Sequence, residues 1–267
     1  MRAGLGRPDV PEAFDVVADR YDLMVGLSPG YHRQLRSSAE HLVRAVLEPG
    51  DAPAPGPARP LRLLDLGCGS GASTRALVDA ACRLVGARRG GPGAAPRVLG
   101  VDGSEGMLRS ARAKGWPAWV SFAQGRAEAL ATQPELSDAR ADGGLDGILA
   151  AYLVRNVAGR DALLASAFDA LRPGGVLVVH DYSVRGRPVS TLVWTLVCWG
   201  VVVPLGWLTS RHTGIYRYLW RSVLAMDSTA TLEDRLRRAG FVEVETRPVP
   251  GWQRGTVHTV VGRRPGA

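Results

Sequence analysis

Lysine is almost missing: Lys114 is the only one among 33 basic residues, and the rest are arginine. Set against 25 Asp and Glu, the balance is a net charge of +8. No Lys/Arg block interleaves with aromatics, so a solvated, arginine-biased surface explains the charge better than a nucleic-acid partner. Cysteine is scarce as well. Cys68, Cys82 and Cys198 form neither a C-x-x-C pair nor an even framework, which excludes a disulfide scaffold, points away from structural metal and fits a cytoplasmic setting. Residues 1–11 lack an apolar stretch, so no secretory signal is expected. The apolar run LVWTLVCWGVVVPLGWL at 192–208 has 17 residues, broken by Gly200, Pro204 and Gly206. That is short of the ~20 needed to cross a bilayer, and a buried or interfacial segment is expected.

What is present is ordinary globular material: 267 residues, 46% hydrophobic and 22% charged, enough for a sizeable core. Helical periodicity runs through Phe14, Val17, Ala18 and Tyr21, and again through Leu35, Ala39, Leu42, Val43, Val46 and Leu47. A Pro/Gly/Ala stretch at 48–60 then separates this helical cap from the main fold. From residue 61 short apolar runs alternate with helical stretches. Strands are expected at 61–66, 98–101, 119–123, 145–151 and 176–181. Helices are expected at 73–85, 104–113 (with Ser104 as its cap) and 161–171. Continuously apolar strands alternating with helices imply a parallel sheet covered on both faces. A helix at 232–239 and strands at 241–246 and 257–262 would finish it with an antiparallel hairpin. The organisation expected is thus a cap and linker at 1–60, an α/β core at 61–183, an apolar lid insertion at 184–228, and a closing helix and hairpin at 229–267.

The most informative stretch is LLDLGCGSG at 63–71, a strand followed by Asp65, Gly67, Gly69 and Gly71 and then a helix. Glycines there let the chain turn sharply off the strand and let a ligand approach the backbone. The spacing departs from the G-x-G-x-x-G of pyrophosphate loops, so the ligand need not carry phosphate. The second strand ends at Asp102, where a carboxylate can accept both hydroxyls of a ribose. With GVDGSEGML at 100–108 and LRPGG at 171–175, these features resemble the class I S-adenosylmethionine-dependent methyltransferases, three βα junctions in the right order. The resemblance implies a Rossmann-like sheet, S-adenosylmethionine as cofactor, Asp65, Gly67 and Gly69 in the cofactor loop, Asp102 on the ribose, and a backbone contact from Ala127 to adenine.

Within that superfamily the sequence is similar to the ubiquinone/menaquinone biosynthesis C-methyltransferases from about residue 14 to 262. The matching pieces are FDVVADRYDLM at 14–24, PGYHR at 29–33, VRNV at 154–157, DYS at 181–183, YRYLWRSV at 216–223 and LRRAGF at 236–241. Departures fall at Cys68, at Asp181-Tyr182-Ser183 in place of Glu-Phe-Ser, and in the C-terminal GWQRGTVHTVVGRR. C-methylation of a lipophilic, ring-containing, quinol-like acceptor is the activity implied. O- or C-methylation of a polyketide or terpenoid, and a cofactor-retaining cyclase or binding protein, stand as alternatives. The Asn/Asp-Pro-Pro-aromatic motif of amine methylation is replaced by Ala150-Ala151-Tyr152-Leu153, which disfavours nucleic acid as substrate.

A ring carbon beside a phenol becomes nucleophilic as the oxygen ionises, so a cation near that oxygen lowers the barrier. Arg155, just past a strand's carboxyl end, is the candidate cation, with Asn156 positioning. His180, Asp181 and His32 are candidate bases, His32 also belonging to the acceptor-binding set. Neighbouring strand residues face opposite ways, so His180 and Asp181 cannot both face the acceptor. His41, His212 and His258 form no constellation. By resemblance Tyr21 closes over the cofactor. The insertion holds Trp194, Trp199, Trp207, Trp220, Tyr216 and Tyr218, six of thirteen Trp and Tyr, a cover suited to a lipophilic acceptor that Tyr216 and Tyr218 would contact. Contact with a membrane surface or a lipid-filled tunnel is expected, and a homodimer is left open.

Overall fold

A computed structural model describes residues 30–48, 60–89, 95–210, 214–251 and 253–266. Seven strands form one sheet: β1 (Arg62–Leu66), β2 (Arg97–Asp102), β3 (Val120–Gln124), β4 (Leu145–Ala151), β5 (Leu171–Tyr182), β6 (Val242–Pro248) and β7 (Val257–Arg263). Their order is β3-β2-β1-β4-β5-β7-β6. The first five run parallel, and β7 slots antiparallel between β5 and β6. The helices are α1 (Tyr31–Leu47), α2 (Ala72–Arg89), α3 (Glu105–Arg112), α4 (Ser137–Ala141), α5 (Arg160–Ala170), α6 (Pro188–Val197), α7 (Val203–Ser210), α8 (Gly214–Leu224) and α9 (Thr229–Arg238).

Side chains alternate across a strand, and the sheet uses both sets. Leu63, Leu149, Val176 and Val178 share one apolar cluster with Leu35, Leu42 and Val46 of α1 and with Leu77 and Ala81 of α2. Leu64, Ile148, Leu177 and Val179 meet Leu163, Leu164 and Ala167 of α5 and Leu232 and Leu236 of α9 on the other face. The second periodic segment of the expected cap, α1, is therefore a core layer of the sheet. Ser104 caps α3 by accepting from the Met107 N–H at 3.1 Å, as its position before the apolar run predicts. The LRPGG stretch, expected to follow a helix ending at 171, is already the start of β5.

The apolar insertion leaves and returns at one point, because Ser183 Oγ donates to the Asp227 carbonyl at 2.8 Å. Asp227 in turn pairs with Arg160 at 2.9 Å and Arg235 at 2.8 Å. Within it, α6 continues through a π-helical turn (Cys198–Val202) into α7. Pro204 has no N–H for the preceding turn, and the widened turn absorbs the missing bond where the sequence suggests an interruption. Pro188 suits a first helical turn, so the apolar helix starts earlier than the 17-residue run and reaches 20 residues, Pro188–Trp207.

Candidate active site

The carboxyl ends of β1, β2 and β4 open on a cavity of about 230 Å³, where the strand order reverses between β1 and β4. Open α/β sheets bind ligands at such a reversal. Its wall begins with the loop after β1. Gly67 and Gly69 have φ of 73° and 53°, values that cost most side chains energy. A Cβ on Gly67 would sit 2.7 Å from Leu153 Cδ1, whereas one on Gly69 would meet nothing within 4 Å. The first glycine thus permits packing, and the second leaves room on the cavity side.

Asp102, at the tip of β2, accepts from the Gly69 N–H at 2.8 Å and the Ser104 N–H at 2.9 Å, which orients its carboxylate at the cavity wall. Asp65 lies beneath the loop, fully buried. Its Oδ2 accepts from the Ser73 and Thr74 hydroxyls at 2.8 and 2.6 Å, while Oδ1 has no partner among the described residues. Burial pushes the Asp65 carboxyl up to about 6, against the two hydroxyl bonds that favour its charge. Ala127 opens a 3₁₀ turn (Ala127–Thr132) and lines the cavity with Met107. Burial drives the Cys68 thiol well above its ordinary value, so it is an inert wall group.

The opposite wall is built at the end of β4. Tyr152 has φ of 56°, unusual for a bulky residue and costing of order 1–3 kcal/mol. Its carbonyl accepts from Arg155 Nη1 at 2.7 Å and from Asn156 Nδ2 at 3.2 Å, bonds that hold the turned backbone. Arg155 Nη1 also donates to Asp181 Oδ1 at 2.7 Å, and the Arg155 backbone N–H donates to Oδ2 at 3.1 Å. The Tyr152 hydroxyl donates to Gln34 Oε1 on α1 at 2.7 Å, and its ring stacks on Tyr31 at 5.3 Å.

Of the residues singled out from sequence, Gly67, Gly69, Asp102, Ala127, Arg155 and Asn156 come together around this cavity. Asp181 stands behind Arg155. His180 faces the α1 side of the sheet instead, with Nδ1 2.9 Å from Thr259 Oγ1 and Nε2 3.3 Å from the Tyr152 hydroxyl. Burial pushes its imidazole down to about 3, and His180 is absent from the cavity lining, so the structure does not bring it together with Arg155 and Asn156. His32 is exposed on α1, edge-on to Tyr31, away from the cavity lining. Tyr216 is buried against Gly206, and only Tyr218 reaches the site, donating to Asn156 Oδ1 at 3.2 Å. Tyr21 lies outside the described residues. Among the described residues no group of three His, Cys, Asp or Glu could hold a metal. Tyr31, Met107 and Tyr152 are among the wall residues that sequence reasoning did not single out, although each sits inside a stretch quoted from the sequence.

The cavity fits the expected donor by two lining features, an open cradle at Gly69 and the Asp102 carboxylate at the β2 tip, while Asp65 supports the loop from beneath without lining the cavity. The model of the ubiE/COQ5 methyltransferase family matches residues 3–257. The Ubiquinone/menaquinone biosynthesis C-methyltransferase UbiE of Bradyrhizobium diazoefficiens is 30% identical over 247 residues, covering 91% of this chain and 87% of the relative. The Demethylmenaquinone methyltransferase of Parafrankia sp. is 32% identical over 264 residues, 94% of this chain and 93% of the relative. Among solved structures the [4+2]-cyclase SpnF superposes with a TM-score of 0.63 at 17% identity, over 98% of this chain and 97% of that one, a likeness of fold alone. The chain belongs to the ubiE/COQ5 methyltransferase family: it is a methyltransferase whose methyl donor is S-adenosylmethionine.

Proposed function

We propose that the protein transfers a methyl group to a ring carbon of a lipophilic acceptor of the prenylated quinol type. The observation that carries this reading is Arg155. A guanidinium stands at the cavity wall, buried and held by Asp181, with the rings of Tyr152 and Tyr182 each 5.6 Å from it. Relatives named as C-methyltransferases of ubiquinone/menaquinone biosynthesis agree with it.

When bound, S-adenosylmethionine supplies a methyl group on a sulfonium, already electrophilic. The protein's own residues align and polarise. Asp102 accepts hydroxyls of the donor's sugar, a carboxylate having about four acceptor sites. Asp65, buried beneath the glycine loop, would hold the loop and the start of α2 in place for the donor through the Ser73 and Thr74 hydroxyls. Ala127 and Met107, which line the cavity, would hold the base. Arg155 stabilises the oxyanion left when the acceptor's phenol proton passes to water, which makes the neighbouring ring carbon nucleophilic, and the hydrogen displaced from that carbon returns as a proton to the oxygen. Low local dielectric strengthens the effect of Arg155. Asp181 holds Arg155 in place, and Asn156, tied to Tyr218 of the insertion, orients the acceptor. The aromatic wall excludes water from the donor.

Incubating the protein with S-adenosylmethionine and a prenylated hydroquinone, then locating the new methyl by NMR, tests the reading. A carbon-bound methyl and one equivalent of S-adenosylhomocysteine are expected. An oxygen-bound methyl, or no turnover on any prenylated ring while a polyketide phenol is methylated, overturns it.

A further inference from the structure

The 20-residue segment Pro188–Trp207 is long and apolar enough to cross a membrane and carries no charged side chain, yet only 17% of its most apolar stretch is buried. Outward from it stand Val189, Leu192, Leu196, Trp199, Leu205 and Trp207, with Val189 74% and Leu196 63% exposed. A continuous apolar face of this kind marks an interaction surface.

Charge decides what covers it. From Arg185 to Met226 the sequence has no Asp or Glu, while Arg185, Arg187, Arg211, Arg217 and Arg221 fall within it. Arg185, Arg187, Arg217 and Arg221 are exposed, and the Arg217 guanidinium lies 5.9 Å from the centre of the Trp199 ring. A second copy of the protein would bring arginine against arginine with no carboxylate between Arg185 and Met226 of either copy to offset it. An anionic lipid surface offers phosphates to the arginines, hydrocarbon to the leucines, and the headgroup boundary that tryptophan favours.

The helix's inner side decides how it sits. Trp194 and Cys198 are buried in the same cluster as Leu149 and Val178, and Trp194 packs on Tyr182 with ring centroids 4.9 Å apart. Crossing a bilayer would strip those contacts from the core. We propose that the α6–π-turn–α7 segment is an in-plane docking surface for anionic phospholipid membranes, with one side held by the fold and the other entering the lipid. The surface is also joined to the cavity: Tyr182 packs on Tyr152 at 5.2 Å, and Tyr218 of α8 bonds Asn156. That junction, which rests on the lipophilic-acceptor reading, would put the cavity wall next to the phase that holds the acceptor.

The test is flotation of the full-length protein with phosphatidylcholine vesicles, with and without phosphatidylglycerol, in the absence of donor and acceptor. Binding roughly tenfold tighter to the anionic vesicles, weakened by salt, is expected. Leu192→Gln/Leu196→Gln/Trp199→Gln should lose most of it while calorimetric binding of S-adenosylhomocysteine is unchanged. Arg185→Gln/Arg187→Gln, outside the apolar face, should lower the anionic preference alone. No vesicle binding, equal binding by the triple variant, resistance to alkaline extraction, or a vesicle-independent dimer that the triple variant dissolves would each overturn the proposal. Because no methyl transfer is measured, failure here and failure of the acceptor reading are separate results.

Discussion

Arg155 and Asp181 form an ion pair at 2.7 Å with side chains only 7% and 3% exposed, one on the turn after β4 and the other near the end of β5. Removing one member of such a pair strands the other charge in the interior. Asp181→Ala should therefore cost about 3 kcal/mol or more of unfolding free energy in urea titrations. Arg155→Gln should lower kcat by about 10²-fold with little change in donor Kd, since it removes stabilisation of charge on the acceptor only. Loss of donor binding in a folded Arg155→Gln variant would contradict that division of labour.

Asp102 both ties the glycine loop, through the Gly69 N–H, and presents its carboxylate at the cavity wall. Hydrogen bonds to a charged acceptor contribute ~1.5–3 kcal/mol each, so Asp102→Ala should weaken S-adenosylhomocysteine binding at least about tenfold by calorimetry. Asp102→Glu should recover part of it.

Gly67 and Gly69 separate folding from binding. Both would strain an alanine by ~1–2 kcal/mol through positive φ. Only at Gly67 does the new methyl also meet Leu153, at 2.7 Å. Gly67→Ala should lower Tm more than Gly69→Ala, and Gly69→Ala should show the larger loss of donor affinity relative to its loss of stability. Equal effects of the two variants on Tm would refute the distinction.

Two buried groups tilt the pH dependence of stability in opposite directions. Asp65 rises from its ordinary 3.8 to about 6, so between those values the folded state keeps a proton that the unfolded state gives up, and stability falls as pH rises through that window. His180 drops from 6.5 to about 3, so the unfolded state takes up a proton that the folded state refuses, and stability falls as pH drops from 6.5 toward 3. Urea unfolding across that range should show Asp65→Asn removing the first slope and His180→Gln the second. Curves parallel to the parent for both variants would count against either burial effect.

The parallel strands and the glycine loop were legible because their signals are local: an apolar run, a cap at Ser104, a turn at Gly67. The seven-stranded sheet with its closing hairpin follows from the same alternation of elements. What stayed hidden depends on distance along the sequence. Asp181 lies 26 residues from Arg155 and Gln34 lies 118 from Tyr152, so neither partnership leaves a pattern that spacing could reveal. The left-handed backbone of Tyr152 was equally invisible, because tyrosine carries no propensity for it. His180 shows the converse. Its residue type suits proton transfer, but the parity of β5 turns it toward Thr259 and away from the cavity.

Under the proposed membrane docking, the outward leucines and tryptophans of the Pro188–Trp207 helix would also change what concentration means for this enzyme. A catalyst and an acceptor that share one interface meet in two dimensions, so turnover would follow the mole fraction of acceptor in the film rather than its amount per litre. Diluting the acceptor with inert lipid at fixed bulk dose would then slow the reaction, and adding more film of unchanged composition would not.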